Sequence, residues 1–289
     1  MELQEAVRAP YEREHYNDRS PDELIPRKPF NKGSFAIVMT LLVLAFLTVY
    51  GFFSFDYKDL DFGAAIDSTL QTLRTMFFSP SINHFNFIHA LYQVLITLGL
   101  AFLTTLFGAV IALFLGLLAS RNLSSPLLST IVRSVVAFIR AVPTVLWVLI
   151  FAVAAGLGSV AAVIGMTFHS ISYLVKAYSE SFEELDNGVI EALKASGAGW
   201  WQIVFQAVIP SSITYLISWT FMRLEINFAV AVAMGAAAGA GGIGYDMFMA
   251  SAFYYDVREI GAITYFILVL AVLMELLATR LKKTLKVKV

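Results

Sequence analysis

The stretch Glu191–Pro210, EALKASGAGWWQIVFQAVIP, decides how the chain is folded, because it sits between two apolar spans and reads as a handle held out of the membrane. Val189–Ala195 has the composition of a short helix, Gly197 and Gly199 break it, and Trp200–Val208 begins a second piece that joins the apolar run beyond Pro210. Two short helices set at an angle make a compact projection. Ala192, Ala195, Ser196 and Ala198 let another surface come close, while Leu193, Trp200 and Trp201 are apolar anchors of the kind enriched at binding hot spots. The competing reading is an interfacial loop whose tryptophans sit at headgroup depth.

Outward from this stretch the chain is apolar. Of 289 residues 58% are hydrophobic and only 14% charged, with mean hydropathy +0.75, too little polar surface for a dispersed soluble domain. A bilayer-crossing helix needs about 20 largely apolar residues. Upstream of Glu191, such runs are Phe35–Phe55, Leu91–Ala119, a third from Leu127 through Pro143 into VLWVLIFAVAAG, and Val160–Tyr178. Downstream they are Pro210 to about Ala233 and Ile260–Ala278. The fold class expected is therefore all-α, a polytopic membrane protein with six transmembrane helices. Residues 56–89 are too polar to span; Ile66, Leu70, Leu73 and Phe77 recur at helical spacing, so an amphipathic helix on the outer surface is expected there, shaping a vestibule or resting on lipid.

The charges are placed asymmetrically. Arg27, Lys28 and Lys32 precede the first span and RLKKTLKVKV follows the last, whereas Lys58, Arg74 and Arg258 are the only basic residues on the other side. By the positive-inside tendency both termini are cytoplasmic, in a multi-pass protein of the cell membrane. The organisation expected is a cytoplasmic tail over 1–34, a first span over 35–55, an outer segment over 56–89, a core over 90–280 containing the cytoplasmic loop 180–210, and a basic tail over 281–289. The net charge of -1 gives no case for a nucleic-acid partner.

Arg223 and Glu225 fall near the middle of the fifth span, where each charge costs about 2.5–3.5 kcal/mol. Arg223 and Asn227, four apart, share a helical face; Glu225 points roughly the other way. Either Arg223 and Asn227 line a wet route for an oxyanion while Glu225 braces the bundle through His169, or both charges brace helix packing. Arg140 and Pro143 sit near the inner end of the third span, where Pro143 bends the helix and Arg140 is within range of an ion pair with Glu275. Gly239, Gly241, Gly242 and Gly244 serve as a hinge or gate, a close helix contact, or a set of N–H groups open to an anion.

Several chemistries are absent from the sequence. There is no cysteine, and His15, His84, His89 and His169 form no metal-binding motif. No G-x4-G-K-[ST] and no G-x-S-x-G occurs, so neither nucleotide hydrolysis nor acyl-transfer chemistry is supported.

Glu191, Ala192, Gly197 and Pro210 match the spacing of the EAA loop, E-A-A-x3-G-x9-I-x-L-P, and on these residues the chain resembles the membrane subunits of ABC importers. Leu193, Ala207 and Ile209 depart from that pattern but remain apolar. RAVP at Arg140–Pro143, RLEIN at Arg223–Asn227, GAGGIG at Gly239–Gly244 and YDVREI at Tyr255–Ile260 look, in this order, like the phosphonate branch of those permeases. The likeness covers roughly Leu91 to the C-terminus, a MetI-like importer permease core.

The resemblance implies a permease, not an enzyme, with Glu191, Ala192, Leu193, Gly197, Ala198 and Trp200 docking on a cytoplasmic ATPase. It implies a second copy of the chain, two ABC ATPase subunits that hold ATP and Mg, an extracytoplasmic substrate-binding protein and surrounding membrane lipid, with no cofactor bound by the chain itself. The cargo implied is phosphonate or a related phosphorus oxyanion; phosphate, phosphite, methionine and a quaternary amine are alternatives on the same fold. A lipid-phosphate enzyme and a passive channel are the readings of other classes.

Overall fold

A computed structural model of the chain describes residues 32–54 and 61–284. Residues 1–31 of the tail expected over 1–34, the junction 55–60 and the end of the basic tail, 285–289, lie outside these. The chain divides into two units between Ala65 and Ile66. Within the first, α1 (Lys32–Ser54) is a continuous apolar helix with no buried residue, as a helix solvated by lipid is. Its limits lie close to the expected first span.

Among the described residues every regular element is helical. After α2 (Phe62–Phe78) come α3 (Phe87–Ala119), α4 (Pro126–Ala141), α5 (Thr144–Ala155), α6 (Ser159–Glu183), α7 (Asn187–Ala195) and α8 (Trp200–Ile203). A π turn over Val204–Val208 then leads into α9 (Ile209–Ala238), followed by α10 (Ile243–Ala252) and α11 (Val257–Thr284). Five stretches, α1, α3, α6, Trp200–Ala238 and Val257–Arg280, are long and apolar enough to cross a bilayer. A sixth is present if α4 and α5 count as one span.

At that third span the structure corrects the expectation. Instead of one bent helix the chain forms two, α4 and α5, at 88°. Val142 is extended, as residues before proline prefer, and Pro143 caps α5 rather than lying inside a helix. The Trp147 indole N–H donates to the Ile139 carbonyl at 3.0 Å and closes the corner. Between the fifth and sixth spans the chain forms a further helix, the ten residues of α10.

The second unit packs in three apolar layers. Val94, Ile243 and Ile263 form one. Leu100, Met166, Phe228 and Met234 form the next. Leu117, Leu174, Tyr178, Phe182, Ile203 and Val208 form the last, beneath α7 and α8. Between the second and third, α3, α6 and α9 all carry polar side chains at the same level: Thr105, Ser170, Arg223 and Asn227, every one buried. The helices approach closely there because Gly108 has no Cβ; one built on it would lie 2.8 Å from the Ser170 Cβ. The outward surface is dominated by exposed Leu, Phe, Val and Ile side chains, which fits an apolar solvent.

Candidate coupling projection and interior polar site

The projection is built by local rules. Asp186 caps α7, its carboxylate accepting the Gly188 N–H at 2.9 Å. The helix stops in a left-handed turn at Gly197 (φ +86°), where the Gly197 N–H bonds the Lys194 carbonyl and the Ala198 N–H bonds the Leu193 carbonyl, each at 3.0 Å. Gly199 opens α8, its N–H held by the Gln202 side chain at 2.6 Å. The π turn follows because Pro210 has no N–H for the carbonyl four residues back; the Ile209 N–H reaches Val204 instead.

Of the six residues expected at a coupling contact, Glu191, Ala192 and Gly197 are exposed, whereas Leu193, Ala198 and Trp200 are half-buried against the layer below. Trp200 turns inward, its indole N–H donating to the Leu123 carbonyl at 2.9 Å. The ground under the projection is braced: the Arg133 guanidinium bonds the Glu183 carboxylate at 2.5 Å and the Ala119 carbonyl at 2.8 Å, and the Arg121 N–H bonds the same Glu183 oxygen at 2.6 Å. Spacing in the sequence does not reveal Arg133, Glu183 or Leu123 as its supports.

In the interior layer Arg223 is 2% exposed and Asn227 fully buried. The Asn227 amide nitrogen donates to Thr105 Oγ1 and Ser170 Oγ, both at 2.9 Å, and its oxygen lies 3.1 Å from Ser170 Oγ. Arg223 Nε donates to Ser170 Oγ at 3.1 Å, and the guanidinium carbon lies 5.2 Å from the centre of the Tyr173 ring. Arg223 and Asn227 thus share a face, as their spacing requires, and that face meets α3 and α6. Glu225 lies on another, lining a groove of about 500 Å³ with Met222, Ile226, Phe228, Ile267 and Met274 between α9 and α11. His169, expected to partner Glu225, sits near enough to Arg223 and Arg140 to feel both charges. Tyr178 and Thr220 are joined by a hydrogen bond one layer further along.

Arg140 and Pro143 are exposed at the α4–α5 corner. Among the described residues no ion pair joins Arg140 to Glu275; the latter accepts from Thr279 at 3.4 Å. The glycine run is a packing device in this conformation. Gly239 ends α9 in the left-handed region, and the Ser159 hydroxyl holds the Ala240 carbonyl at 2.8 Å. A Cβ on Gly242 or Gly244 would strike Thr97 or the Val232 backbone.

A junction the sequence did not disclose ties α10 and α11 to the start of α3. Glu259, 1% exposed, accepts the His84 backbone N–H at 2.9 Å and meets His84 Nδ1 at 2.6 Å. His89 Nε2 lies 3.2 Å from Asp246. Burial raises the Asp246 carboxyl above its ordinary range. The Asn83 amide, bonded to Asp256 at 2.6 Å, holds that carboxyl below it. His84, Asp256 and Glu259 offer ligand atoms within 4.8 Å of one another.

Comparison with known proteins places this geometry in context. The family described as binding-protein-dependent transport system inner membrane component matches residues 108–288. The phosphate-import permease protein PhnE of Mycolicibacterium smegmatis is 32% identical over 178 residues, which are 61% of this chain and only 33% of that protein. The phosphite transport system permease protein PtxC of Stutzerimonas stutzeri is 30% identical over 191 residues, 66% of this chain and 69% of that one. Among solved structures, an inward-facing MetNI methionine ABC transporter aligns with TM-score 0.61 and 24% identity over 68% of this chain and 95% of that one, a likeness of fold.

Proposed function

The chain belongs to the family of binding-protein-dependent transport system inner membrane components, and from that premise we propose that it is the permease subunit of an ATP-driven ABC importer carrying phosphonate or a related phosphorus oxyanion. It is a multi-pass membrane protein and a transport component, not an enzyme. In this reading two copies enclose the pathway about a two-fold axis, two cytoplasmic ATPase subunits supply ATP and Mg²⁺, and an extracytoplasmic protein delivers the cargo. Both termini and the α7–α8 projection lie on the cytoplasmic side. ATPase closure moves the projection as a rigid body, and α9 carries that motion to the layer holding Arg223, giving alternating access.

The observation that carries this proposal is the projection itself. It is an exposed, locally capped pair of short helices with Glu191 and Ala192 outward, continuous through the π turn with the helix that bears the interior arginine. Such a lever transmits movement because its base is pinned at Trp200 and at Arg133–Glu183. The cargo class is supported by a buried guanidinium in the fifth span and by relatives named for phosphate and phosphite transport. The methionine transporter of like fold makes methionine the second reading of cargo.

The test is uptake into proteoliposomes carrying the chain with its ATPase and binding protein, with labelled phosphite, phosphate, methylphosphonate and methionine compared, and wild type set against Gly197→Pro. ATP-dependent accumulation of an oxyanion, lost in Gly197→Pro together with stimulated hydrolysis, is the expected result. Unchanged hydrolysis and co-purification in Gly197→Pro would remove the coupling role of the projection.

A further inference from the structure

Arg223 is buried, and among the described residues no carboxylate pairs with it. Its Nε bonds Ser170 and its face lies against Tyr173, but Nη2 is shut off from solvent and has no hydrogen-bond partner. A buried donor left unpaired is costly, and the penalty is greater for a charged group. His169, the residue before Ser170 on α6, has the same defect: its Nδ1 is buried and has no partner among the described residues. The positive charges of Arg223 and Arg140 lie near enough to act on it. Glu225, on another face of α9, lines the α9–α11 groove.

Two orphaned nitrogens in one positive layer thus call for an acceptor that carries negative charge on separate atoms. Resting on the oxyanion reading above, we propose that Arg223 Nη2 and His169 Nδ1 together form the interior cargo site, each donating to an oxygen of one phosphorus oxyanion as it crosses between α6 and α9. Arg140, exposed at the α4–α5 corner, extends the positive path toward one opening. Asn227, Ser170 and Thr105 have a different task. Their mutual bonds of 2.9 Å fix Ser170 Oγ, which in turn holds Arg223 Nε and aims the free edge of the guanidinium. The layer is closed in this conformation, so the cargo enters it only when α6 and α9 part. A tetrahedral oxyanion satisfies both donors; a zwitterion such as methionine also brings an ammonium into an all-positive layer, and a quaternary amine brings only that.

Histidine offers a direct test, because Asn places its amide nitrogen where Nδ1 lies and Gln places it where Nε2 lies. In proteoliposomes of the assembled transporter, uptake of labelled phosphite and methylphosphonate per ATP hydrolysed is compared for wild type, His169→Asn and His169→Gln. The expected result is near-normal uptake in Asn and a fall of roughly tenfold in Gln, with hydrolysis maintained in both. Equal uptake per ATP in Asn and Gln overturns the site and leaves the cargo reading standing. A parallel fall of uptake and hydrolysis in both variants also overturns it, since that is the mark of a structural histidine. Wild type that imports methionine but no oxyanion overturns the cargo reading and the site with it.

Discussion

The indole N–H of Trp200 is bonded to the carbonyl of Leu123 at 2.9 Å, which joins the first residue of α8 to the loop between α3 and α4, 77 positions earlier in the chain. A residue that reads in the sequence as an outward anchor is thus the peg holding the projection to the bundle. The neighbouring Trp201, 54% exposed and stacked on Phe205, keeps the outward role.

Trp200→Phe keeps the ring and removes the bond. The expected cost is about 1 kcal/mol of stability, as for a typical internal hydrogen bond. Because the projection is then hinged where it was pinned, co-purification with the ATPase persists while uptake per ATP falls. Measuring both quantities on one preparation decides it: a fall in co-purification with an unchanged uptake ratio would assign Trp200 to the contact rather than to transmission.

Gly197 and Gly199 are two residues apart and predict opposite outcomes. Gly197 has φ +86°, so Gly197→Ala forces a side chain into the left-handed region at about 1–2 kcal/mol. Gly199 has φ -72°, and a Cβ there meets only Gln202 Oε1, at 3.6 Å. Gly199→Ala is therefore expected to stay within about 0.5 kcal/mol of wild type. Thermal unfolding of the two variants in detergent separates them, with the lower midpoint in Gly197→Ala.

What sequence revealed, and what it hid, follows from the range of each interaction. The stop at Gly197 and the shared face of Arg223 and Asn227 are set by neighbours within one or two turns, so spacing suffices. The α4–α5 corner is hidden because Pro143 lies within a stretch long enough to be one span, and a proline there is as compatible with a kink as with a break. Helix α10 is hidden by the glycines before it, whose composition signals irregular chain although Gly242 and Gly244 serve close packing. Thr105 and Ser170 look like ordinary hydroxyls bonded one turn back, as they indeed are to Ala101 and Met166. Nothing local says that Asn227 also reaches them, and the bonds between His84 and Glu259 span 175 positions.

Asp256 predicts a pH dependence with a definite sign. One carboxylate oxygen caps α11 by accepting from the Arg258 and Glu259 N–H groups at 3.0 and 3.2 Å, and the other takes the Asn83 amide at 2.6 Å. These bonds favour the charged form and hold its pKa below the ordinary carboxylate range. A depressed folded pKa gives stability that is fully present above the unfolded value of about 3.9 and disappears as pH falls through the folded one. Asp256→Ala is expected to lower stability by about 1 kcal/mol at pH 7. The gap between the two melting curves narrows below about pH 4. A gap that stays constant down to pH 3 would mean the carboxylate charge is not what caps the helix.

Gly108 gives the sharpest packing prediction, because the atom it would strike is held in place. A Cβ added there lies 2.8 Å from the Ser170 Cβ, closer than side-chain carbons approach. Ser170 has little room to yield: its hydroxyl donates to the Met166 carbonyl at 3.0 Å and accepts from Arg223 and Asn227, so any retreat lengthens bonds in the buried layer. Gly108→Ala is therefore expected to cost about 1–3 kcal/mol, the range for overpacking, against the gain of about 0.5–1 kcal/mol that alanine brings to a helix interior. Gly99, nine positions earlier on the same helix, has nothing within 4 Å of its virtual Cβ. Gly99→Ala shows that gain alone and melts at or above wild type. The two variants share a helix and a substitution, so the difference between their midpoints isolates the contact. Since α3 and α6 separate in Gly108→Ala at the level of Ser170, uptake falls in that variant and not in Gly99→Ala, and equal transport by both would show that the polar layer tolerates displacement.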